Sequence, residues 1–283
     1  MMKTRYRIAK IEWLKWLGNP RIIIALLMPF IVKVIAIEPL VERSKQEGMK
    51  MNVFEPVIAV GNSGLLSFLL PAVFLILMSD FPKIEPNSFF LLSRSGKKNW
   101  FYGQVLFAGF AIITFMVFVY ASVILFSLGN TEFSDEWSKI TRTYVSKYPE
   151  KETSHVVQLL PPNLYNQMGV IKALVVTAIL QFLMFFQMCM IFMAFTISGK
   201  KKAGLVTIFM IMIGGMLTCT VDAKAMWAFP LSNSLIWLHY TPIFRKEIFP
   251  IWFSYFYFCA SIIIMIIYNS VIIRKIDFNW EER

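Results

Sequence analysis

The sequence predicts an all-α membrane protein with six transmembrane helices, and two observations support this fold class. Of the 283 residues, 57% belong to the hydrophobic set and only 16% are charged, with a mean hydropathy of +0.61. An average soluble domain is roughly 45–50% apolar and about 25% charged, so a soluble globule, a disordered chain and a fibrous repeat are excluded. Secondly, six nearly uncharged runs approach or reach the roughly 17–25 residues that cross the hydrocarbon. These runs are 21–38, 61–79, 101–128, 168–197, 204–221 and 250–273.

The distribution of Lys and Arg predicts the orientation. The segments 1–21, 80–100, 198–203 and 274–283 carry sixteen of them, whereas the longer segments on the opposite side carry ten. Cytoplasmic segments carry the excess of basic residues, so we expect both termini in the cytoplasm. The net charge of +11 then reflects loops that face anionic lipid, and we expect no nucleic-acid partner.

Three segments outside the spans have their own patterns. In residues 1–20, Tyr6, Ala9, Trp13, Trp16 and Leu17 fall on one arc, which predicts a helix in the cytoplasmic interface. Residues 129–167 are a long charged extracellular loop. Residues 222–249 are apolar but interrupted by prolines, which predicts interfacial or re-entrant outer helices.

The cytoplasmic loop 80–100 contains a short apolar helix. Pro86-Asn87-Ser88 is a helix start and Gly96 is a natural C-terminal cap, so we expect a helix over 86–96. Its body shows Phe89, Phe90, Leu91 and Leu92 next to Arg94. Because such side chains are costly to leave in water, the helix should dock on lipid or on a partner protein.

Few polar residues lie within the predicted spans. Gln181 and Gln187 lie deep in the fourth span, where they either bond to a neighbouring helix or line a path. Lys33 and Lys172 lie near outer span ends, where snorkelling is favoured over substrate contact. The cysteines form no CxxC pair and have no nearby histidine. We therefore expect no catalytic, cofactor or metal site on this chain.

Residues Ser88-Phe89-Phe90-Leu91-Leu92-Ser93-Arg94-Ser95-Gly96-Lys97-Lys98-Asn99-Trp100-Phe101-Tyr102-Gly103-Gln104 resemble a pattern of ABC-2 type permease subunits of Gram-positive bacteria. That pattern is an apolar helix, an Arg-Ser/Thr-Gly turn, basic residues, and Gly-Gln or Gly-Lys opening the third span. The predicted plan of six spans, an interfacial N-terminal helix and outer re-entrant helices is similar to that family's plan. The resemblance implies a multi-pass protein of the bacterial cell membrane that exports its cargo.

The resemblance also implies partners. The helix 86–96 would be the coupling helix that contacts a separate ATPase subunit, and the contact residues would be Phe89, Phe90, Leu91, Leu92, Arg94, Lys200, Lys201 and Lys202. ATP and Mg would bind that subunit, which fits the lack of a G-x-x-x-x-G-K-[ST] motif here. Transport would need a second permease chain, either a copy or a paralogue, which alternates access with this one. The aromatic outer segment suits an amphipathic or lipid-like cargo, for instance a membrane-active peptide.

Two other classes remain as alternatives. Gly61-Asn62-Ser63-Gly64 matches the G-x-S-G of rhomboid-type intramembrane serine proteases, but both histidines, His155 and His239, lie outside the predicted spans. A serine nucleophile needs a base within reach, so we interpret Ser63 as the N-terminal cap of the second span. The other alternative is a membrane-anchored binding or immunity protein that acts without an ATPase through its two long outer segments.

Overall fold

A computed structural model describes residues 2–83, 94–221, 223–242 and 246–275, and helices dominate it. Five helical stretches are long and apolar enough to cross a membrane, and a sixth span results if one bent helix pair counts as a single span. This supports the all-α membrane fold class. The five stretches are Ile22–Glu47, Lys97–Asn130, Val170–Ile197, Lys201–Thr220 and Ile251–Lys275.

The elements follow one another in a simple order. Helix α1 is Met2–Leu17, α2 is Ile22–Val32, and one π-helical turn at Lys33–Ile37 joins α2 to α3 at Glu38–Glu47. The remaining elements are β1 Met51–Asn52, α4 Glu55–Asn62, α5 Gly64–Leu77, α6 Lys97–Ser127, β2 Thr131–Glu132, α7 Lys139–Lys147, α8 His155–Leu159, α9 Pro162–Tyr165, α10 Val170–Ile197, α11 Lys201–Thr220, α12 Pro230–Ser234 and α13 Ile251–Lys275. Short 3-10 turns lie between several of them, at Leu128–Asn130, Pro149–Lys151, Lys224–Ala228 and Ile236–His239.

The bent pair is α4 and α5, whose axes differ by 78°. Ser63 lies between them in extended conformation, and its side-chain oxygen accepts a hydrogen bond from Leu66 N at 3.5 Å. The predicted role of Ser63 as a helix N-cap is therefore confirmed. All eight residues of α4 are buried, so the helix before the bend lies inside the protein.

The first long helix continues beyond the apolar run that the sequence marks. It extends to Glu47, where Gly48 adopts a left-handed φ of 63° and its N–H bonds to the carbonyl of Lys45. Glycine adopts this conformation without the penalty that a Cβ would bring. Residues 39–60, which lie between the first two predicted spans, thus contain β1 and most of α3 and α4.

Segments 38–62 and 131–168 fold together at one end of the molecule, and 223–242 packs beside them; we call these three segments the lobe. Strands β1 and β2 pair in parallel, with Met51 opposite Thr131. The amide of Asn52 donates to the carbonyls of Ser134 and Glu136, at 2.5 and 2.8 Å. Asn163 Nδ2 donates to Tyr240 O at 3.0 Å. The long loop is therefore an ordered part of the fold.

The opposite end, which we call the base, holds α1 against the first half of α6. Ile8 packs so closely on Gly103 that a Cβ there would lie 2.7 Å from Ile8 Cγ2. Trp13 Nε1 donates to Thr114 Oγ1 at 2.9 Å, and Trp16 Nε1 donates to Leu77 O at 3.2 Å. Helix α1 is thus fastened to two other helices by both tryptophans.

Candidate functional site

The bend between α4 and α5 is the centre of a buried polar cluster, which we call the break site. Asn62, the last residue of α4, is fully buried. Its side-chain amide donates to Thr177 Oγ1 of α10 at 2.9 Å, and its Oδ1 accepts from the backbone N–H of Ile236 at 2.9 Å. Trp237 Nε1 donates to the Asn62 carbonyl at 2.9 Å. One residue therefore connects the bend to the long helix α10 and to the segment 223–242.

Gly61, the residue before Asn62, packs closely against α10. A Cβ at Gly61 would lie 2.2 Å from Thr177 Cγ2 and 3.1 Å from Gln181 Nε2. The Tyr120 hydroxyl of α6 donates to Gln181 Oε1, while Gln181 Nε2 has no hydrogen-bond partner within the described part of the chain. The break site thus joins α4, α6 and α10 and holds one buried donor that is not satisfied.

Gln187, the second predicted path residue, lies elsewhere on α10. Its Nε2 donates to Ser261 Oγ of α13 at 2.7 Å, and the side chain is buried. One turn further towards the base, Asn269 Nδ2 donates to Met190 O at 2.9 Å. The structure therefore separates the two glutamines: Gln181 belongs to the break site, and Gln187 bonds α10 to a neighbouring helix.

A second polar group lies beside the break site, in the segment 223–242. The His239 ring is fully buried, with Nδ1 3.0 Å from Leu235 O and Nε2 2.8 Å from Ser254 Oγ. Ser254 in turn lies 2.8 Å from Asn233 Oδ1. Burial lowers the pKa of His239 to about 4, so the ring is neutral at physiological pH.

These contacts bear on the protease alternative. His239 bonds to Ser254, and the ring of His155 bonds to Ile35 O at 2.8 Å. Ser63 uses its oxygen to cap α5. Both histidines and Ser63 are thus engaged in structural bonds, and their arrangement gives no support to Ser63 as a nucleophile.

The lobe contains a buried carboxylate that the sequence did not mark. Glu55 is fully buried at the start of α4 and accepts from Ser138 N at 2.7 Å, Ser138 Oγ at 2.8 Å and Thr141 Oγ1 at 3.1 Å. Because these donors belong to the long segment after β2, Glu55 ties that segment to the break-site helix. The sequence signal was weak, since Glu55 stands before a proline in an apparent loop.

At the base, one carboxylate joins three elements. Asp80 Oδ1 accepts from Lys201 Nζ of α11 at 2.7 Å, and Asp80 Oδ2 pairs with Arg21, which precedes α2. Arg21 also donates to Ser79 Oγ at 2.7 Å. Burial alone would raise the pKa of Asp80, but the hydrogen bonds from Lys201 and Arg21 hold it below its usual value. We call Arg21, Asp80 and Lys201 the ionic junction.

The predicted ATPase contact is described only in part. Phe89, Phe90, Leu91 and Leu92, and with them most of the helix predicted over 86–96, lie outside the described residues. Arg94, Lys200 and Lys202 are exposed, whereas Lys201 is engaged by Asp80. Two later residues of the 88–104 motif contact Arg5 of α1. Asn99 Oδ1 accepts from Arg5 Nε at 3.1 Å, and the Tyr102 ring lies 4.6 Å from the Arg5 guanidinium carbon.

Among the described residues, no group of three or more His, Cys, Asp or Glu side chains is arranged to hold a metal ion. The polar groups instead occur as the break site, the His239 group and the ionic junction. Comparison with known proteins adds no assignment, because no family model, curated protein or solved structure matches the chain.

Proposed function

We propose that this chain is the permease subunit of an ATP-driven exporter of the ABC-2 type. In this proposal a separate ATPase subunit hydrolyses ATP, and two permease chains change their packing to move cargo across the bacterial cell membrane. The observation that carries the transport function is the break site, where a bent helix pair meets two long helices and the segment 223–242 through buried polar contacts.

A helix break inside a membrane protein has a physical cost. Backbone groups freed at the break must find partners, and irregular backbone is tolerated at membrane depth only where it is buried in protein or lines a cavity. Discontinuous helices of this kind form the substrate sites of many transporters. Here the side chains of Asn62 and Trp237 bind the groups around the break. A passive membrane anchor would not need a bent helix pair with buried polar partners.

The base supports the ATP-driven part of the proposal. Asp80 connects α5, α2 and α11 and lies four residues before the segment 84–93, which holds most of the predicted coupling helix. A displacement of that segment would therefore act on three helices at once. Exposed Lys202 and Arg94 supply positive charge on this side for contact with a partner.

The cargo in this proposal is amphipathic or lipid-like, and a membrane-active peptide is the specific form we favour. Gln181 Nε2 at the break site is a buried hydrogen-bond donor without a partner in the described residues, and it lies close to Gly61 at the bend. A peptide carbonyl would satisfy that donor once the site opens. Peptides of this class should stimulate ATP hydrolysis by the reconstituted complex, and an unchanged rate would contradict the assignment.

The test of the ATPase partnership is copurification. The tagged chain would be extracted from its native membrane in mild detergent, beside a Phe90→Asp/Arg94→Glu variant and a Lys139→Glu control whose exposed charge lies on the lobe. We expect an ATP-binding subunit to accompany the native chain and the control but not the double variant. If no ATPase accompanies any of the three folded proteins, the exporter proposal is wrong.

The second candidate is a membrane-anchored binding or immunity protein. The ordered lobe favours it, because residues 131–168 are folded by specific contacts, including those to Asn52 and Glu55. Such a protein would protect cells through the lobe alone. Survival of toxin-treated cells with the Phe90→Asp/Arg94→Glu variant would then equal survival with the native chain, whereas an exporter would lose protection.

A further inference from the structure

A groove of about 360 Å³ lies at the base between α10, the link that follows it, and α13. It is outside the break site, the His239 group and the ionic junction. Its lining side chains include Ile191, Phe195, Ser198, Lys200, Met265 and Tyr268. The groove therefore combines one cation and two hydroxyl groups with an apolar wall.

The chemistry of the groove changes along its length. Lys200 and Ser198 follow the end of α10 at Ile197, so they lie at the membrane boundary of the base. Ile191 lies inside α10, nearly two turns before that end, and Met265 lies deeper in α13 than Tyr268. An apolar interior with a cationic mouth matches a phospholipid, whose acyl chain and anionic headgroup have the same order.

The charge at the mouth is available for a ligand. Lys201 next to it is paired with Asp80, but Lys200 has no ion pair in the part of the chain that the structure describes, and it is exposed. None of the described residues lining the groove carries a carboxylate. The Ser198 hydroxyl already donates to Ala194 O at 2.8 Å, so Lys200 and the hydroxyl of Tyr268, a half-exposed residue, are the side-chain donors left for a phosphate.

We infer that this groove binds an anionic phospholipid from the leaflet at the base, with the phosphate at Lys200 and an acyl chain along α10 and α13. Charge complementarity selects this occupant over a zwitterionic lipid.

The experiment is native mass spectrometry of the full chain released from nanodiscs that contain equal amounts of phosphatidylglycerol and phosphatidylcholine with identical acyl chains. The test variant is Lys200→Gln, and the matched control is Lys202→Gln, since Lys202 is also exposed but does not line the groove. We expect the native chain and the control to retain phosphatidylglycerol preferentially. Lys200→Gln should retain it roughly fivefold less, the effect of one basic residue at an anionic surface.

A second variant tests the apolar wall. Ala194→Phe places a ring into the groove, where Ala194 is one of the lining residues. We expect it to weaken retention of both lipids, which a site for free phosphate alone would not show. Equal retention by Lys200→Gln and the native chain, or an equal loss in Lys202→Gln, would overturn the inference. So would an altered oligomeric state of Ala194→Phe with unchanged lipid retention, because the occupant would then be a second copy.

Discussion

Glycine and asparagine decide the geometry of the break at the level of single residues. Because Gly61 has no side chain, α4 packs directly against α10 at a point where a Cβ atom would overlap Thr177. Asn62 donates a hydrogen bond to Thr177 and accepts one from Ile236, which lie in two different segments. Neither residue would stand out on a hydropathy plot. Their importance comes from the neighbours that the fold brings to them, chiefly Thr177 and Ile236.

Gly61→Ala should destabilise the protein, because the new methyl group would overlap Thr177 Cγ2 at 2.2 Å. Overpacking of a buried site costs roughly 1–3 kcal/mol. Gly64→Ala is the matched control, since no atom lies within 4 Å of its Cβ position. Thermal unfolding in detergent should show a lower midpoint for Gly61→Ala alone. Adding Thr177→Ser, which removes the overlapping methyl but keeps the hydroxyl, should recover part of the loss; no recovery would place the strain elsewhere.

His239 predicts a pH dependence of stability. Its pKa in the folded protein is lowered to about 4 by burial, below the ordinary value of 6.5, so the folded state disfavours the charged ring. The contribution of the neutral ring is complete above pH 6.5 and is lost as the pH falls towards 4. The unfolding midpoint of the native protein should therefore fall over this interval.

The matched variants are His239→Gln and His155→Gln, because these positions hold both histidines of the chain. His239→Gln should show a flatter dependence between pH 6.5 and 4 than the native protein. His155→Gln controls for the loss of a histidine ring elsewhere, at a position where the ring bonds to Ile35 O. Identical slopes for native protein and His239→Gln would contradict the assigned role of the buried ring.

At the scale of elements, the ionic junction sets how the base is held together. Asp80 accepts from Lys201 at the start of α11 and from Arg21 before α2, so one carboxylate fixes the relative positions of three helix ends. These side chains are between 33% and 44% exposed, which limits what each pair contributes. Exposed pairs typically add up to about 1 kcal/mol.

Asp80→Asn should lower the unfolding midpoint at neutral pH by the equivalent of about 1 kcal/mol. Since the two cations hold the pKa of Asp80 below its usual value, the stabilisation is present at neutral pH and is lost as the pH falls through the lowered pKa. The difference between native protein and variant should therefore shrink on acidification. Asp135→Asn, which removes an exposed carboxylate of the lobe outside the ionic junction, is the control, and we expect it to leave the unfolding midpoint at neutral pH unchanged.

At the scale of the whole molecule, the lobe and the base lie at opposite ends of the long helices. The excess of Lys and Arg in the base segments predicts that the base faces the cytoplasm. The proposed ATPase contact and the proposed lipid groove both lie there, while cargo would leave at the lobe. The proposal of directed export thus depends on this orientation.

Substituted cysteines test the orientation. In a background with Cys189, Cys219 and Cys259 replaced by alanine, Lys202→Cys and Glu150→Cys place single exposed thiols at the base and on the lobe. A membrane-impermeant maleimide added to intact cells should label Glu150→Cys at once and Lys202→Cys only after permeabilisation. The reverse labelling pattern would show that the base faces outward. The proposed ATPase contact at the base would then not lie in the cytoplasm.

The sequence by itself determined the membrane class, the approximate positions of the apolar helices and the N-cap at Ser63. These features follow from local properties of the chain. A run of about twenty apolar residues favours the membrane over water, and an N-cap serine bonds to a backbone N–H only two or three residues later. The sequence also supplied the resemblance at residues 88–104, on which the proposed partner rests.

The tertiary structure alone decided the polar contacts. Glu55 stands before a proline in an apparent loop of the sequence, and only the fold places Ser138 and Thr141 around it. Residues 39–60 lie between two predicted spans, and only the fold pairs β1 with β2. Gln181 and Gln187 looked equivalent, yet one joins the break site and the other bonds to α13. Each distinction depends on residues 61 to 86 positions apart in the chain, and a hydrogen bond between such residues exists only once packing brings them within about 3 Å.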